Sequence, residues 1–226
     1  MLFIFEERLS DSPFVQAIWS AQSERSGSFI STAGVQWEIS LVRYKGKTTI
    51  GIHGPETKAT STSFPADGEW IGITFKLGIF MPHLLPRRVL DKRDVSLPEA
   101  SGKSFWLGGS TWEFPTYENA DTFVKRLVRS GLLVRDPLVE DLMQDYPLDL
   151  SPRAVQYRFQ RATGLTYRTV RQIQRAQKAA MLLEQGCPIL DTAYQLGYFD
   201  QSHLANSLRR YLGRTPMQIS RALQPD

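Results

Sequence analysis

The stretch from Pro188 to Met217, PILDTAYQLGYFDQSHLANSLRRYLGRTPM, contains two short helical patterns separated by a turn. In the first pattern, Ile189, Ala193 and Leu196 recur at the spacing of one helix face. Gly197 follows directly, and glycine commonly ends a helix because it accepts a left-handed backbone. The sequence therefore predicts a short helix that ends in a glycine-containing turn.

The second pattern begins at Asp200, whose carboxylate can accept hydrogen bonds from the amides of a first helical turn. The apolar residues that then recur at helical spacing are Leu204, Leu208 and Tyr211 or Leu212. The opposite face is expected to be exposed, and amide and hydroxyl groups on such a face can pair with base edges. The candidate base-reading residues are Gln201, Ser202, His203 and Asn206. His203 has a second interpretation, packing within the turn. Two short helices around such a turn predict a helix-turn-helix unit.

Arg209 and Arg210 lie in the later turns of the second pattern, where cations suit DNA phosphates.

The runs A-x-x-x-G-Y-F-D-Q-S-H-L and R-R-Y-L-G-R-T-P resemble the C-terminal signature of the AraC/XylS transcription regulators. The resemblance extends back to about Leu150 and so covers roughly a third of the chain. It implies two helix-turn-helix units joined by a long helix, and a cupin-like N-terminal domain.

The sequence also contains a candidate for the first of these units. Asp136 and Pro137 suit a helix start, and Ser151 with Pro152 suits another, which Gly164 would end. Position by position, the resemblance makes this the first reading helix, with Arg153, Gln156 and Tyr157 near its start as base readers and Arg158 as a phosphate contact. The segment 138–149 is shorter and richer in Pro and Asp than the family pattern. Whether the first unit is fully formed therefore stays open.

A long amphipathic pattern follows Thr166 and extends to about Gln185. The basic residues expected on its exposed face are Arg168, Arg171, Arg175 and Lys178. We expect Arg168 to contact phosphate. About 18 helical residues span roughly 27 Å, near the ~34 Å between successive major-groove faces on one side of DNA. The pattern thus predicts a rigid spacer that places both reading helices on one duplex. An amphipathic helix on a membrane surface is the less favoured reading, because small Ala residues indicate close helix packing.

The charge of the chain is unevenly distributed. Residues 151–226 contain 11 Lys or Arg and 4 Asp or Glu, a net charge of +7, whereas residues 1–150 contain 16 and 19, a net charge of −3. This asymmetry suits binding of a polyanion at the C-terminal end. The single cysteine, Cys187, cannot form an internal disulfide, and the N-terminal residues have no signal-peptide pattern or long apolar segment. A cytoplasmic protein that does not span a membrane is expected.

The N-terminal two thirds show short alternating patterns typical of strands at 37–42, 49–53 and 70–75, separated by Gly- and Pro-containing turns. Residues 91–102 are predicted as a polar excursion. From Asn119 the period becomes helical, with Asp121 near the start of a helix and Gly131 near its end. We predict two domains. Residues 1–134 form a mainly β, antiparallel barrel or sandwich, cupin-like by resemblance, with a closing helix that either packs on the barrel or contributes to a homodimer. Residues 135–226 form an all-α DNA-binding domain.

The N-terminal domain offers candidates for an effector pocket, namely Trp37, His53, Trp70 and Phe75. Aromatic residues at strand spacing are also typical of a core, which is the alternative for these positions. The chain has three histidines and no His-x-His pair, so no metal site, cofactor or catalytic constellation is predicted. The sequence therefore favours a non-enzymatic transcription regulator that binds double-stranded DNA under the control of a small molecule or of dimerisation. A cupin-like enzyme and an assembly module without a ligand, each targeted to DNA, are the alternatives.

Overall fold

The computed structural model describes residues 3–221 and shows antiparallel strands followed by helices, as the sequence predicts. The strands are β1 (Phe3–Arg8), β2 (Val15–Ser23), β3 (Gly27–Ser31), β4 (Glu38–Tyr44), β5 (Lys47–His53), β6 (Thr60–Phe64), β7 (Glu69–Phe75), β8 (Ile79–Phe80), β9 (Val95–Ser96), β10 (Glu99–Ser101), β11 (Ser104–Leu107), β12 (Ser110–Glu113) and β13 (Val134–Arg135). The helices are α1 (Ala120–Arg129), α2 (Pro137–Met143), α3 (Pro152–Thr163), α4 (Tyr167–Glu184), α5 (Ile189–Gln195), α6 (Gln201–Leu212) and α7 (Pro216–Arg221). A 3-10 helix spans Pro86–Arg88.

The largest sheet has the strand order β1-β2-β7-β4-β5-β9, and each neighbouring pair is antiparallel. Ile39 lies opposite Ile52 on one side and Ile73 on the other, so that the three side chains form a row on one face. Because successive side chains alternate between faces, Glu38 and His53, which also lie opposite each other, belong to the other face. The sheet thus has one apolar face and one face of mixed polarity.

The core lies on the apolar face, where the isoleucine row packs with residues of β11, β12 and α1. Phe105, Trp112 and Phe123 are buried there, and the Phe123 ring centroid lies 6.2 Å from that of Phe105 and 6.0 Å from that of Trp112. α1 covers the core with Phe123 and Leu127 and is followed by Gly131 in a left-handed conformation (φ 70°). The predicted closing helix is confirmed as an element that packs on the β-rich region.

Short strands occur where the sequence shows only a polar excursion. Residues 91–102 contain β9, which pairs with β5, and β10, which pairs with β11. These strands have two and three residues, too short for a period-2 pattern to be visible. The predicted polar excursion therefore contains two short strands that the sequence pattern does not show, because tertiary pairing rather than local pattern defines them.

The chain divides into two compact units. The described residues of the first are 3–28, 35–55 and 63–166, and those of the second are 29–34, 56–62 and 167–221. The first unit therefore includes α2 and α3 with the β-rich region. The domain boundary at residue 135, predicted from sequence, stays a prediction, as does the assignment of the β-rich part as cupin-like.

The second unit is built on α4, which packs against α5, α6 and α7. One stripe of α4 is fully buried, and its members are Val170, Ile173, Ala176, Ala179 and Leu183. The two alanines let neighbouring helices approach closely, as expected from the sequence. α4 has 18 residues, which confirms the predicted long helix and its length of roughly 27 Å.

Candidate nucleic-acid interface

The turn between α5 and α6 is fixed by short-range hydrogen bonds. Gly197 has a φ of 68°, which ends α5, and Asp200 caps α6 because its Oδ1 accepts from the backbone N–H of His203 at 2.7 Å. Buried Leu204 and Leu208 hold α6 on the unit. The helix-turn-helix predicted from the sequence is present with the expected start of the second helix.

The outer face of α6 is polar and exposed. Its exposed residues in the first two turns are Gln201, Ser202, His203 and Asn206. Arg209 and Arg210 are exposed in the last turn, and the Arg209 guanidinium lies 3.4 Å from the Asn206 Oδ1. Amides and hydroxyls thus come first along the helix and cations follow, an order that suits bases and then phosphates.

One ring nitrogen of His203 accepts a hydrogen bond within the turn, and the other can donate one. Its Nδ1 accepts a hydrogen bond from the Phe199 N–H at 3.3 Å, and its ring meets the Tyr198 ring edge-on at 5.2 Å. Acceptance at Nδ1 places the proton of the neutral ring on Nε2, which remains a donor. The residue therefore packs in the turn while its side chain stays exposed, so that the two interpretations offered by the sequence are compatible.

Arg175 of α4 also contacts this turn and holds it in place, a role that sequence patterns do not indicate. Its guanidinium lies 4.2 Å from the centroid of the buried Tyr198 ring, and its Nη1 lies 3.4 Å from the Gly197 carbonyl oxygen. Arg171 is also half-buried, with its Nε 2.7 Å from the Tyr167 hydroxyl. The expectation that both arginines are exposed is wrong because aromatic rings cover them. Arg168 is exposed, as expected.

α3 presents a second polar face, in the first unit. Ser151 caps it by accepting from the Ala154 N–H at 3.3 Å, and Gly164 ends it with a φ of 76°. The candidate base readers Arg153, Gln156 and Tyr157 are all exposed, Tyr157 by 67%. Buried Phe159, Ala162 and Thr163 form the opposite face. α3 therefore has the amphipathic layout expected of a reading helix.

Arg158 is engaged within the protein. Its Nε and Nη2 lie 3.2 and 2.5 Å from the two carboxylate oxygens of Asp136, the residue whose Oδ1 also caps α2 at 3.2 Å from the Leu138 N–H. The hydrogen bond that Arg158 donates to Asp136 raises the pKa of Arg158. Its charge is thus already neutralised in part, whereas a phosphate contact would have to compete with this pair. Its assignment as a phosphate contact stays a prediction.

The four residues predicted to line an effector pocket divide between the two faces of the sheet. Trp37 and Phe75 are buried in the core with ring centroids 4.3 Å apart, and the Trp37 Nε1–H donates to the Ile79 carbonyl at 2.6 Å. His53 and Trp70 lie on the other face, and both are half-buried. The structure does not bring the four side chains together, and their role in effector binding stays a prediction.

His53 belongs to a polar cluster on the face opposite the core. Its Nε2 lies 2.8 Å from the Ser40 Oγ and 2.9 Å from the Asp94 Oδ1, and its Nδ1 lies 3.9 Å from the Glu38 Oε1. Burial acts to lower the pKa of His53, but the hydrogen bond to Asp94 and the charge of Glu38 outweigh burial, so that the pKa is raised. Glu38 Oε2 also accepts from the Trp19 indole N–H at 3.2 Å and from the Thr74 hydroxyl at 3.1 Å.

Within residues 3–221, no group of three or more His, Cys, Asp or Glu side chains is arranged to hold a metal ion. Over the same range, no helix has both the length and the apolar character that a membrane span requires.

Residues 147–222 match the model of a helix-turn-helix domain family. The HTH-type transcriptional regulator VirS of Mycobacterium tuberculosis, from strains CDC 1551 / Oshkosh and H37Rv, is 27% identical over 181 residues, 74% of this chain and 51% of VirS. The chain thus spans about half the length of these curated relatives.

Solved structures similar to this chain include ToxT from Vibrio cholerae O395. The match has 10% sequence identity and a TM-score of 0.41, and it covers 100% of this chain and 99% of ToxT. They also include unsaturated fatty acid bound wild-type ToxT from Vibrio cholerae strain SCE256, at 11% identity and a TM-score of 0.41 over 97% of this chain and 95% of that one.

Proposed function

We propose that this chain, whose residues 147–222 match a helix-turn-helix domain family, is a transcription regulator that binds specific sequences in double-stranded DNA. The observation that supports this most is the face of α6. Gln201, Ser202 and Asn206 are exposed together at the start of a helix that Asp200 caps and buried leucines hold in place. Such a rigid polar face fits the major groove.

The contacts expected with DNA follow from the chemistry of each position. Amide and hydroxyl groups of α6 would pair with base edges, and the His203 Nε2–H would donate to an acceptor such as a guanine oxygen. Arg209 and Arg210 would contact phosphates beyond the base-reading turns. α3 would read a second major-groove segment with Arg153, Gln156 and Tyr157.

The experiment that tests this proposal is in vitro selection of random duplexes with the full chain, followed by titration of the selected duplex against a shuffled one. A specific regulator should bind the selected duplex about 10³-fold or more tightly at physiological salt. Equal affinity for both duplexes would mean that DNA binding is ionic and independent of sequence, which would contradict the proposal.

We also propose that a small molecule acts on the β-rich unit, on the face that carries Glu38 and His53. This face is half-buried and presents hydrogen-bonding groups next to the Trp19 ring, a mixture that suits a ligand with polar and apolar parts. A metabolite panel should contain a compound that raises the melting temperature of the full chain and whose effect disappears in Glu38→Gln. A compound that stabilises wild type and this variant equally would place the site elsewhere.

A further inference from the structure

The C-terminal end of α6 is closed by two segments that come from far earlier in the chain. The last carbonyl groups of a helix lack partners within the helix. Gly213 satisfies the Arg209 carbonyl at 3.0 Å, but the next two carbonyls accept from outside the helical region. The Ala59 N–H lies 2.8 Å from the Arg210 oxygen, and the Ala33 N–H lies 2.6 Å from the Tyr211 oxygen. Residues 29–34 and 56–62, which we call the capping segments, belong to the same compact unit as α6.

The capping segments are bound to each other and to α4. Gly34 and Glu56 exchange two backbone hydrogen bonds, of 3.0 and 2.9 Å, and the Ser31 hydroxyl lies 2.8 Å from the Glu56 carboxylate. The Gln177 side chain of α4 donates to the Ala33 carbonyl at 3.1 Å. The two segments therefore act on α6 as one piece rather than as independent loops.

Gly213 shows how closely the capping segments approach the helix end. It has a φ of 68°, and a Cβ built on it would lie 2.7 Å from the Ile30 Cγ2 and 3.3 Å from the Ala59 Cβ. Gly186, at the end of α4, has a similar φ of 86° but nothing within 4 Å of such a Cβ. Alanine would therefore strain the backbone at both glycines, whereas only at Gly213 would it also displace the capping segments.

The covalent chain connects the capping segments to the paired strands β4 and β5. Residues 29–34 precede β4, which begins at Glu38, and residues 56–62 follow β5, which ends at His53. Glu38 and His53 lie opposite each other in the register of these strands. A change in the position of this strand end would therefore be transmitted to both segments at once, over the three residues 35–37 and the two residues 54–55.

We propose that the capping segments set the DNA affinity of the protein by holding the last turn of α6, which carries Arg209 and Arg210. In the capped state the turn is ordered, and the Tyr211 hydroxyl lies 3.2 Å from the Gln172 Oε1 of α4, so that the guanidinium groups are positioned for phosphate. Displacement of the segments leaves two carbonyls without partners, frays the turn and weakens binding. This inference rests on the proposed DNA binding and adds the element that regulates it.

The test compares Gly213→Ala with Gly186→Ala in the full chain, with the duplex recovered by in vitro selection as the probe. Gly213→Ala should weaken binding by about tenfold, and Gly186→Ala should change it by less than about twofold. Ile30→Ala in the Gly213→Ala background removes the nearest contact and should recover most of the lost affinity. Equal losses in the two single variants would overturn the inference.

Hydrogen exchange of the wild-type chain gives a measurement that does not depend on any variant. Because coupling between two sites is reciprocal, saturating duplex should slow exchange of the Ala33 and Ala59 amides. Exchange at these amides that is unchanged by DNA would contradict the inference while leaving the proposed function intact. A wild-type chain that selects no duplex would instead overturn the proposed function and the coupling with it.

Discussion

The two predicted reading helices, α3 and α6, have the same local construction but different supports. Each has 12 residues, an oxygen-bearing cap at its start and a left-handed glycine after its end. Each glycine also lies close to a segment from the first half of the chain: Gly164 against Pro86 and Arg87, and Gly213 against Ile30 and Ala59. The two helices therefore share their caps and terminal glycines, whereas different segments of the chain lie against their ends.

The supports differ in composition. α3 packs on α2, β8 and the 3-10 helix, with the Arg161 guanidinium 5.7 Å from the centroid of the Phe80 ring and Arg158 bound to Asp136. α6 packs on α4, α5 and α7 and contacts the earlier part of the chain through the capping segments. α3 is therefore supported by elements of the first unit, and α6 by elements of the second.

The largest effect expected from this difference is on folding. Phe159→Ala in α3 should destabilise the first unit by about 3–5 kcal/mol, and Leu208→Ala in α6 should destabilise the second by about 2–5 kcal/mol, because both side chains are fully buried. The five tryptophans all lie between positions 19 and 112, in the first unit. The midpoint of urea unfolding, detected by tryptophan fluorescence, should therefore shift mainly in Phe159→Ala.

The same titrations followed by far-ultraviolet circular dichroism provide the control, because helices of both units contribute to that signal. Leu208→Ala should shift the dichroism transition with a much smaller change in fluorescence. Coincident shifts of both signals in both variants would mean that the two helices share one cooperative unit, and the contrast drawn from their supports would be wrong.

The next largest effect is expected on sequence specificity. Substitutions in α3 and in α6 should each affect the base pairs that the helix contacts. Gln201→Ala and Gln156→Ala should each relax specificity by about 1–3 kcal/mol at the positions that the helix contacts. Selection with each variant should show which base pairs lose information. Gln185→Ala, an exposed glutamine beyond the end of α4, serves as the matched control. An unchanged preferred sequence in Gln201→Ala would remove that residue from the interface.

A smaller difference between the helices is expected in the salt dependence of DNA binding, which reports contacts with phosphates. Arg210→Gln should weaken binding to all duplexes alike and reduce the slope of log affinity against log salt by about 1. Arg158→Gln should reduce the slope less, because Asp136 already pairs with this guanidinium. Titrations of the selected duplex at several salt concentrations measure both slopes. Equal reductions would show that Arg158 exchanges Asp136 for phosphate on binding.

How far the sequence predicts the molecule also differs between its regions. Helix caps, left-handed glycines and apolar spacing are local, so that the starts at Asp136, Ser151 and Asp200 and the end at Gly164 could be predicted from the sequence. The helix-turn-helix domain predicted from the same stretch is confirmed by the family match at residues 147–222.

What could not be predicted depends on residues distant in the chain. The Arg175 guanidinium over Tyr198, the Arg158–Asp136 pair and the capping of α6 by Ala33 and Ala59 join positions 22 to 178 residues apart. No periodicity marks such contacts. The division of the aromatic residues between two sheet faces likewise needed the register of the strands, since Trp37 and Trp70 carry equivalent local patterns.

The smallest expected effect concerns pH and distinguishes the first unit, which supports α3, from the second. The raised pKa of His53 adds stability that is fully present below about pH 6.5 and is lost as pH rises through its higher folded value. The hydrogen bond from His53 lowers the pKa of Asp94, which adds stability above about pH 3.9 that is lost as pH falls through its lower folded value. Because Asp94 is largely exposed, the pair should contribute no more than about 1 kcal/mol. Tryptophan-detected unfolding should therefore show a shallow stability maximum between these limits that flattens in His53→Gln. Parallel profiles for wild type and this variant would show that the cluster does not stabilise the support of α3.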